Sequence, residues 1–266
     1  MEDIRPENWN ELHRELFENT WNPVIRRHRS NFVYRGMSSA GFNLQTTLMR
    51  LGGNFRELEI HLLRNFKKYA RQDAVQENNE WNWLAVAQHH GLPTRLLDWT
   101  YSPYVALHFA TANVGLYECD GVIWCVDFVK AHEHLPEKLR RTLIDESANA
   151  LTAEMLDQVA RSLRELEKLS PEEFAIFFEP PSLDERIVNQ FALFSFMSTP
   201  EARLDDWLAR QDSSMFRRIV IPKDMKWEVR DKLDQANITE RVLFPGLDGL
   251  SRWLKRHYTP RNELEG

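Results

Sequence analysis

Cysteine is nearly missing from the chain. Only Cys119 and Cys125 occur among 266 residues, and no second pair stands at metal-ligand spacing to match them. This argues against structural zinc and a disulfide framework and for two reduced thiols. Long apolar runs are also lacking: none approaches the roughly 18 residues that cross a bilayer. The opening stretch MEDIRPENWNELHRELF is charged and has no signal-peptide core. The expectation is a cytoplasmic protein with no membrane partner. Basic charge is not in excess, since 34 Lys and Arg against 40 Asp and Glu leave a net charge of -6. That balance disfavours a generic electrostatic grip on nucleic acid, although a local basic groove stays open. The chain has no phosphate-cradling glycine loop, no glycine fingerprint after a strand and no Gly-x-Ser-x-Gly elbow. His89 and His90 are adjacent, the wrong spacing for two ligands from one helix face, so no metal is expected.

What the chain does have is apolar bulk. A hydrophobic share of 42%, with nine Trp and fifteen Phe, supports a substantial core in one large domain or two small ones. Trp9, Leu12, Leu16 and Phe17 predict an amphipathic helix within residues 1–30, packed on a domain over 31–258, with a loose tail at 259–266. Phe32 to Tyr34 read as a strand delivering Arg35, and Gly36 marks a bend or a close approach of a ligand to the backbone. Gly41 to Arg50 read as a strand and turn. Asn54 with Glu57 forms a capping box for a helix running to about Arg71. Gly121 to Phe128, Phe191 to Met197 and Phe216 to Ile221 are further strands. Residues 131–180 read as a helical insertion, with helices at Leu135–Ile144 and Thr152–Leu169 and a third start at Ser170-Pro171. Helices follow over Ser198–Gln211, Lys223–Ala236 and Gly246–Tyr258, the last with Leu247, Leu250, Trp253 and Leu254 inward. Strands and helices mix without regular alternation, so the fold class is α+β.

The densest chemistry lies in Ala85 to Ala110, AVAQHHGLPTRLLDWTYSPYVALHFA. Trp81 to His90 read as a helix ended by a left-handed Gly91. His89 and His90 then fall in its last turn, where the macrodipole favours positive charge. Ser102 is a good N-cap and Pro103 suits the first position of the next helix. His90, Arg95, Asp98 and Thr100 are thereby expected in a loop clamped at both ends. Arg35 offers either a planar five-donor fork for a phosphate or ribose edge, or a half-buried salt bridge. Asp98 is a ligand group or an ion pair for Arg95, and Gln190 either contacts a ribose hydroxyl or amide or bonds a loop backbone.

The stretch from Gln88 to Ala110, with Tyr34-Arg35-Gly36 upstream, resembles the FRG domain family, named for a Phe-Arg-Gly signature that begins here with tyrosine. Arg186-Ile187 with Gln190, and Leu243 to Leu250, are similar to it as well. The order of parts also looks like that of the ADP-ribosyltransferase superfamily, which implies a small mixed-sheet core. In such enzymes an arginine holds the NAD phosphate or ribose, a Ser/Thr strand shapes the nicotinamide pocket, and a later glutamate stabilises the oxocarbenium-like transition state. By that resemblance Arg35 and Thr100 take the first two roles, with Gly36 and Arg95 completing the nucleotide side. The third role falls to Gln190 or to Glu185, five positions earlier. Glutamine binds a hydroxyl but brings no charge to a developing cation. His90 would serve as acid or base, oriented by Asp98. The implied function is binding of NAD as substrate, with ADP-ribosyl transfer to a protein or nucleic-acid target, or NAD glycohydrolysis. The family's company in bacterial genomes adds a toxin or phage-defence setting. The rival readings are a non-catalytic nucleotide sensor or interaction module, and phosphodiester chemistry, which would need a positive groove. Glu185 decides the first contest: outside the pocket, it leaves binding ahead of transfer.

Overall fold

A computed structural model describes residues 3–261 apart from 71–74, 76 and 183. The fold is α+β. Seven strands form one mixed sheet: β3 (Phe32–Met37), β4 (Leu97–Thr100), β5 (Gly121–Asp127), β6 (Leu151–Thr152), β7 (Ala175–Glu179), β8 (Ala192–Met197) and β9 (Phe216–Ile221). Their order is β6-β7-β8-β4-β3-β5-β9, and every pairing is antiparallel except β6 with β7. A small hairpin, β1 (Trp21–Asn22) with β2 (Arg27–His28), stands apart. Around the sheet lie α1 (Trp9–Phe17), α2 (Phe55–Tyr69), α3 (Glu80–His89), α4 (Pro103–Ala110), α5 (Phe128–His132), α6 (Glu137–Asp145), α7 (Ala153–Val159), α8 (Leu163–Glu167), α9 (Glu185–Asn189), α10 (Leu204–Leu208), α11 (Lys226–Gln235), α12 (Glu240–Leu243) and α13 (Leu247–His257). Among the described residues no helix is long and apolar enough to cross a membrane.

Side-chain alternation distributes the core. On one face, Ile176, Phe178, Phe194 and Phe196 pack under α3, while Phe32, Tyr34, Ile123 and Ile219 pack under α1, α4 and α11. The opposite face carries a third cluster containing Val33, Trp99, Trp124 and Phe177. The first face is therefore covered by two separate helical groups, with a gap over the middle of the sheet.

That gap coincides with a seam in the sheet. β3 and β5 pair over six positions, from Phe32↔Asp127 to Met37↔Val122, and β4 and β8 pair over four. Between β3 and β4 the only register pair is Tyr34↔Thr100. Beyond it the two central strands part.

Several expectations need correction. The clamped loop after Gly91 contains β4, a central strand: LDWT is too short for its alternation to be distinguished from a loop before its partners are known. Residues 131–180 are not purely helical, because they carry β6 and β7. The Ser170-Pro171 signal starts no helix but precedes the apolar run AIFF of β7, a length at which periodicity cannot separate strand from helix. The helix from Thr152 to Leu169 breaks at Ala160 into α7 and α8. Gly41 to Arg50 contain no strand. Asn54 makes no side-chain cap, α10 starts only at Leu204, and Leu247 is 79% exposed rather than inward. The expected end of α2 at Arg71 and the tail at 262–266 lie outside the described residues.

Candidate functional site

A cleft of about 200 Å³ opens over the seam. Its floor is Tyr34, Arg35 and Gly36 of β3 with Asp98, Trp99 and Thr100 of β4. Gln88 and His89 form one wall, Phe109 of α4 the second, and Arg186, Ile187 and Gln190 the third. Each wall is fixed by a cap. Asn79 caps α3 by accepting from the Asn82 N–H, and Gly91 ends that helix at φ +82°. Ser102 caps α4 and Asp184 caps α9, both through side-chain oxygens.

Arg35 bridges the parted strands. Its Nη1 donates to the Asp98 carbonyl oxygen at 2.5 Å and lies 3.7 Å from the Asp98 carboxylate. Burial pulls the pKa of this guanidinium down, and Asp98 opposes the shift. Its Nε is buried with no hydrogen-bond partner among the described residues, an arrangement that costs about 1–3 kcal/mol unless a ligand satisfies the donor. Asp98 is held in turn. The Gln88 amide nitrogen donates to its Oδ2 at 2.9 Å, and the Thr94 hydroxyl donates to the Gln88 amide oxygen at 2.5 Å, which fixes the orientation of that amide.

The structure brings together only part of the expected set. Arg35, Gly36, Asp98, Thr100 and Gln190 line the cleft. His90 does not: it is the exposed C-cap of α3 and has no contact with Asp98. Its neighbour His89 lines the cleft, with Nε2 2.7 Å from Asp184 Oδ2. Burial pushes the Asp184 carboxyl up, but the Ile187 and Arg186 N–H groups and His89 outweigh it and hold it below the usual range. Arg95 is buried away from the cleft, with Nε and Nη2 on Glu59, Nη2 also on Glu167 and Nη1 on the Ser198 carbonyl. It is a structural ion-pair centre and does not meet Asp98. Gly36 serves packing: a Cβ there would lie 1.8 Å from the Ala106 carbonyl oxygen of α4. Thr100 donates to the Gln190 carbonyl at 2.7 Å and accepts from the Ser102 N–H at 3.0 Å, so its hydroxyl ties β4 to α9 and α4. The Gln190 amide nitrogen donates to the Leu243 carbonyl. Glu185 is exposed and does not line the cleft.

Sequence reasoning missed His89, Asp184, Gln88 and Phe109. Trp81 to Ala87 are buried without interruption, so α3 has no polar stripe to tell which of two adjacent histidines turns inward. Nothing in the local pattern distinguishes Asp184, which caps the five-residue α9.

Residues 30–117 match the family model of the FRG domain. The match covers 88 of the 266 residues. The matched stretch contains β3, α3, β4 and α4, hence the floor and two walls of the cleft. The third wall, from Arg186 to Gln190, lies outside the FRG match, as does the Leu243 to Leu250 segment. No curated protein matches the chain, and no solved structure does.

Proposed function

We propose that the chain binds an NAD-like nucleotide in the seam cleft, and that the cleft recognises this ligand rather than transferring ADP-ribose from it. Arg35 carries the reading: a buried guanidinium with an unpartnered Nε faces a cleft that also presents amides, a carboxylate and aromatic rings. The donors fit the ligand class. A guanidinium suits phosphate or ribose oxygens, Gln88 and Gln190 suit a carboxamide or hydroxyls, and Phe109 and Phe194 offer apolar faces to a ring. The resemblance to ADP-ribosyltransferases places NAD first among candidates. Recognition is favoured over transfer because Glu185 stays outside the cleft and Gln190 lines it, leaving no free carboxylate at that wall for a developing cation.

One observation favours a second reading, NAD glycohydrolysis. His89 with Asp184 behind it is the pairing a general acid or base uses.

Calorimetric titration of NAD into the wild type and Arg35→Ala, followed by a nicotinamide-release assay on the same samples, tests both. Binding that is lost in Arg35→Ala, without nicotinamide release, is the expected result. Release that disappears in His89→Gln moves the function to hydrolysis. Absence of NAD binding by the wild type overturns the nucleotide reading.

A further inference from the structure

A second cavity, of about 440 Å³, lies beside the seam cleft between α4, α11, α12 and α13. Trp227 and Phe244 give it aromatic walls, and Arg252 and Lys255 of α13 stand on its rim. At its base Arg256 is held by Asp234 and Glu240, and Glu240 also meets the fully buried Arg230. Those two arginines and two carboxylates cancel. Arg252 and Lys255 are exposed and form no ion pair among the described residues, so the rim is cationic in a chain whose net charge is -6.

The two cavities share a wall residue. Phe109 lines both. Two guanidiniums lie over the Phe244 ring, Arg186 of the cleft at 5.2 Å and Arg252 of the second cavity at 5.5 Å. The cleft alone, at about 200 Å³, falls below the roughly 300–1,000 Å³ of sites that enclose a drug-sized ligand. A dinucleotide bound there extends beyond its walls.

We propose that the two cavities take the two ends of one dinucleotide, and that Arg186 and Arg252, both on the Phe244 ring, flank the pyrophosphate between them. This rests on the nucleotide reading of the seam cleft. The amide-lined cleft receives the carboxamide-bearing ring, and the cationic aromatic cavity receives the adenosine end. Charge-assisted hydrogen bonds from arginine suit phosphate oxygens, and cations over aromatic faces suit a stacked base. The adenosine end would thus be read outside the FRG match, by α11, α12 and α13.

Calorimetry on the full chain with NAD, nicotinamide mononucleotide and AMP as separate probes tests the span. The variant Arg252→Glu with Lys255→Glu changes two exposed side chains and leaves the Arg256 network intact. It should weaken NAD at least tenfold and abolish AMP binding, while nicotinamide mononucleotide binds as in the wild type. AMP should also bind unimpeded at saturating nicotinamide mononucleotide. If the variant leaves NAD affinity within twofold while Arg35→Ala abolishes it, the span is overturned and the cleft reading stands. Competition between AMP and nicotinamide mononucleotide for one site overturns the span as well. If neither NAD nor nicotinamide mononucleotide binds the wild type, the cleft reading falls and the span with it.

Discussion

Gly36 packs so closely against Ala106 that a methyl group on its α-carbon would lie 1.8 Å from the Ala106 carbonyl oxygen and 2.7 Å from the Ala110 nitrogen. Both obstacles are backbone, so no side chain can move aside. Gly36→Ala must push α4 off β3, displacing Phe109 and the strand that carries Arg35. The expected destabilisation is about 3 kcal/mol or more, read as a lower urea midpoint. Ligand binding should weaken with it, because the cleft wall moves.

Arg95 stands only three residues before Asp98, yet it acts elsewhere. It is 4% exposed and holds the 3% exposed Glu59 together with Glu167. Arg95→Met strands a buried carboxylate and should cost about 3–5 kcal/mol. Pairing it with Glu59→Leu should recover most of that loss, since an apolar pair of similar volume often equals a buried ion pair. Ligand affinity of the folded double variant should match the wild type. A large loss of affinity at unchanged stability would return Arg95 to the binding site.

These two residues mark how far the sequence could be read. Arg35 and Gly36 are adjacent in one short motif, and both stood out in the sequence; that one lines the cleft and the other packs against the helix is decided by α4, whose approach no local pattern encodes. The long helices α1, α3, α4 and α11 were legible from caps and apolar spacing. β4 was not, because four residues take their identity as a strand from Tyr34 and from β8, which are distant in sequence. β7 was hidden behind a helix-start signal. The choice of His89 over His90 rests on which way a fully buried helix is turned, and that is set by packing on both sides.

Arg35→Lys separates charge from geometry. Arginine can donate to the Asp98 carbonyl through Nη1 and keep Nε for a ligand, because its donors form a rigid fork. Lysine has one nitrogen for both tasks. Arg35→Lys should therefore lose NAD affinity at least tenfold, about 1.4 kcal/mol or more, while its urea midpoint changes far less than that of Gly36→Ala. Retained affinity in the lysine variant would show that charge alone suffices and that the fork is not what the cleft uses.

Acid should unfold the chain in two stages set by three buried groups. Burial, and then the charge of Arg230, push His108 from 6.5 down to about 3, and burial pushes His132 down to about 4. Both are neutral in the folded chain near neutral pH. Between those values and 6.5 only the unfolded chain takes up their protons, so stability falls as the pH drops below about 6.5, by up to about 1.4 kcal/mol per pH unit for each histidine. Glu240 follows at lower pH. Burial pushes its carboxyl up, but Arg256 and Arg230 outweigh burial and bring it from 4.5 to about 2. Its contribution is intact above about 4.5 and is lost as the pH falls towards 2, on the order of 3 kcal/mol in all. Urea midpoints measured from pH 8 to pH 3 should be level above about 7 and decline steadily below 6.5. In His108→Gln the decline between pH 6.5 and 4 should be shallower, because one of the two protons taken up on unfolding is gone. In Glu240→Gln the same decline should persist from a lower starting stability, with the part below pH 4.5 flattened. A wild-type midpoint that stays level down to pH 5 would show that His108 and His132 are protonated in the folded chain, and that the Arg230–His108 contact, 2.9 Å in the structure, does not persist in solution.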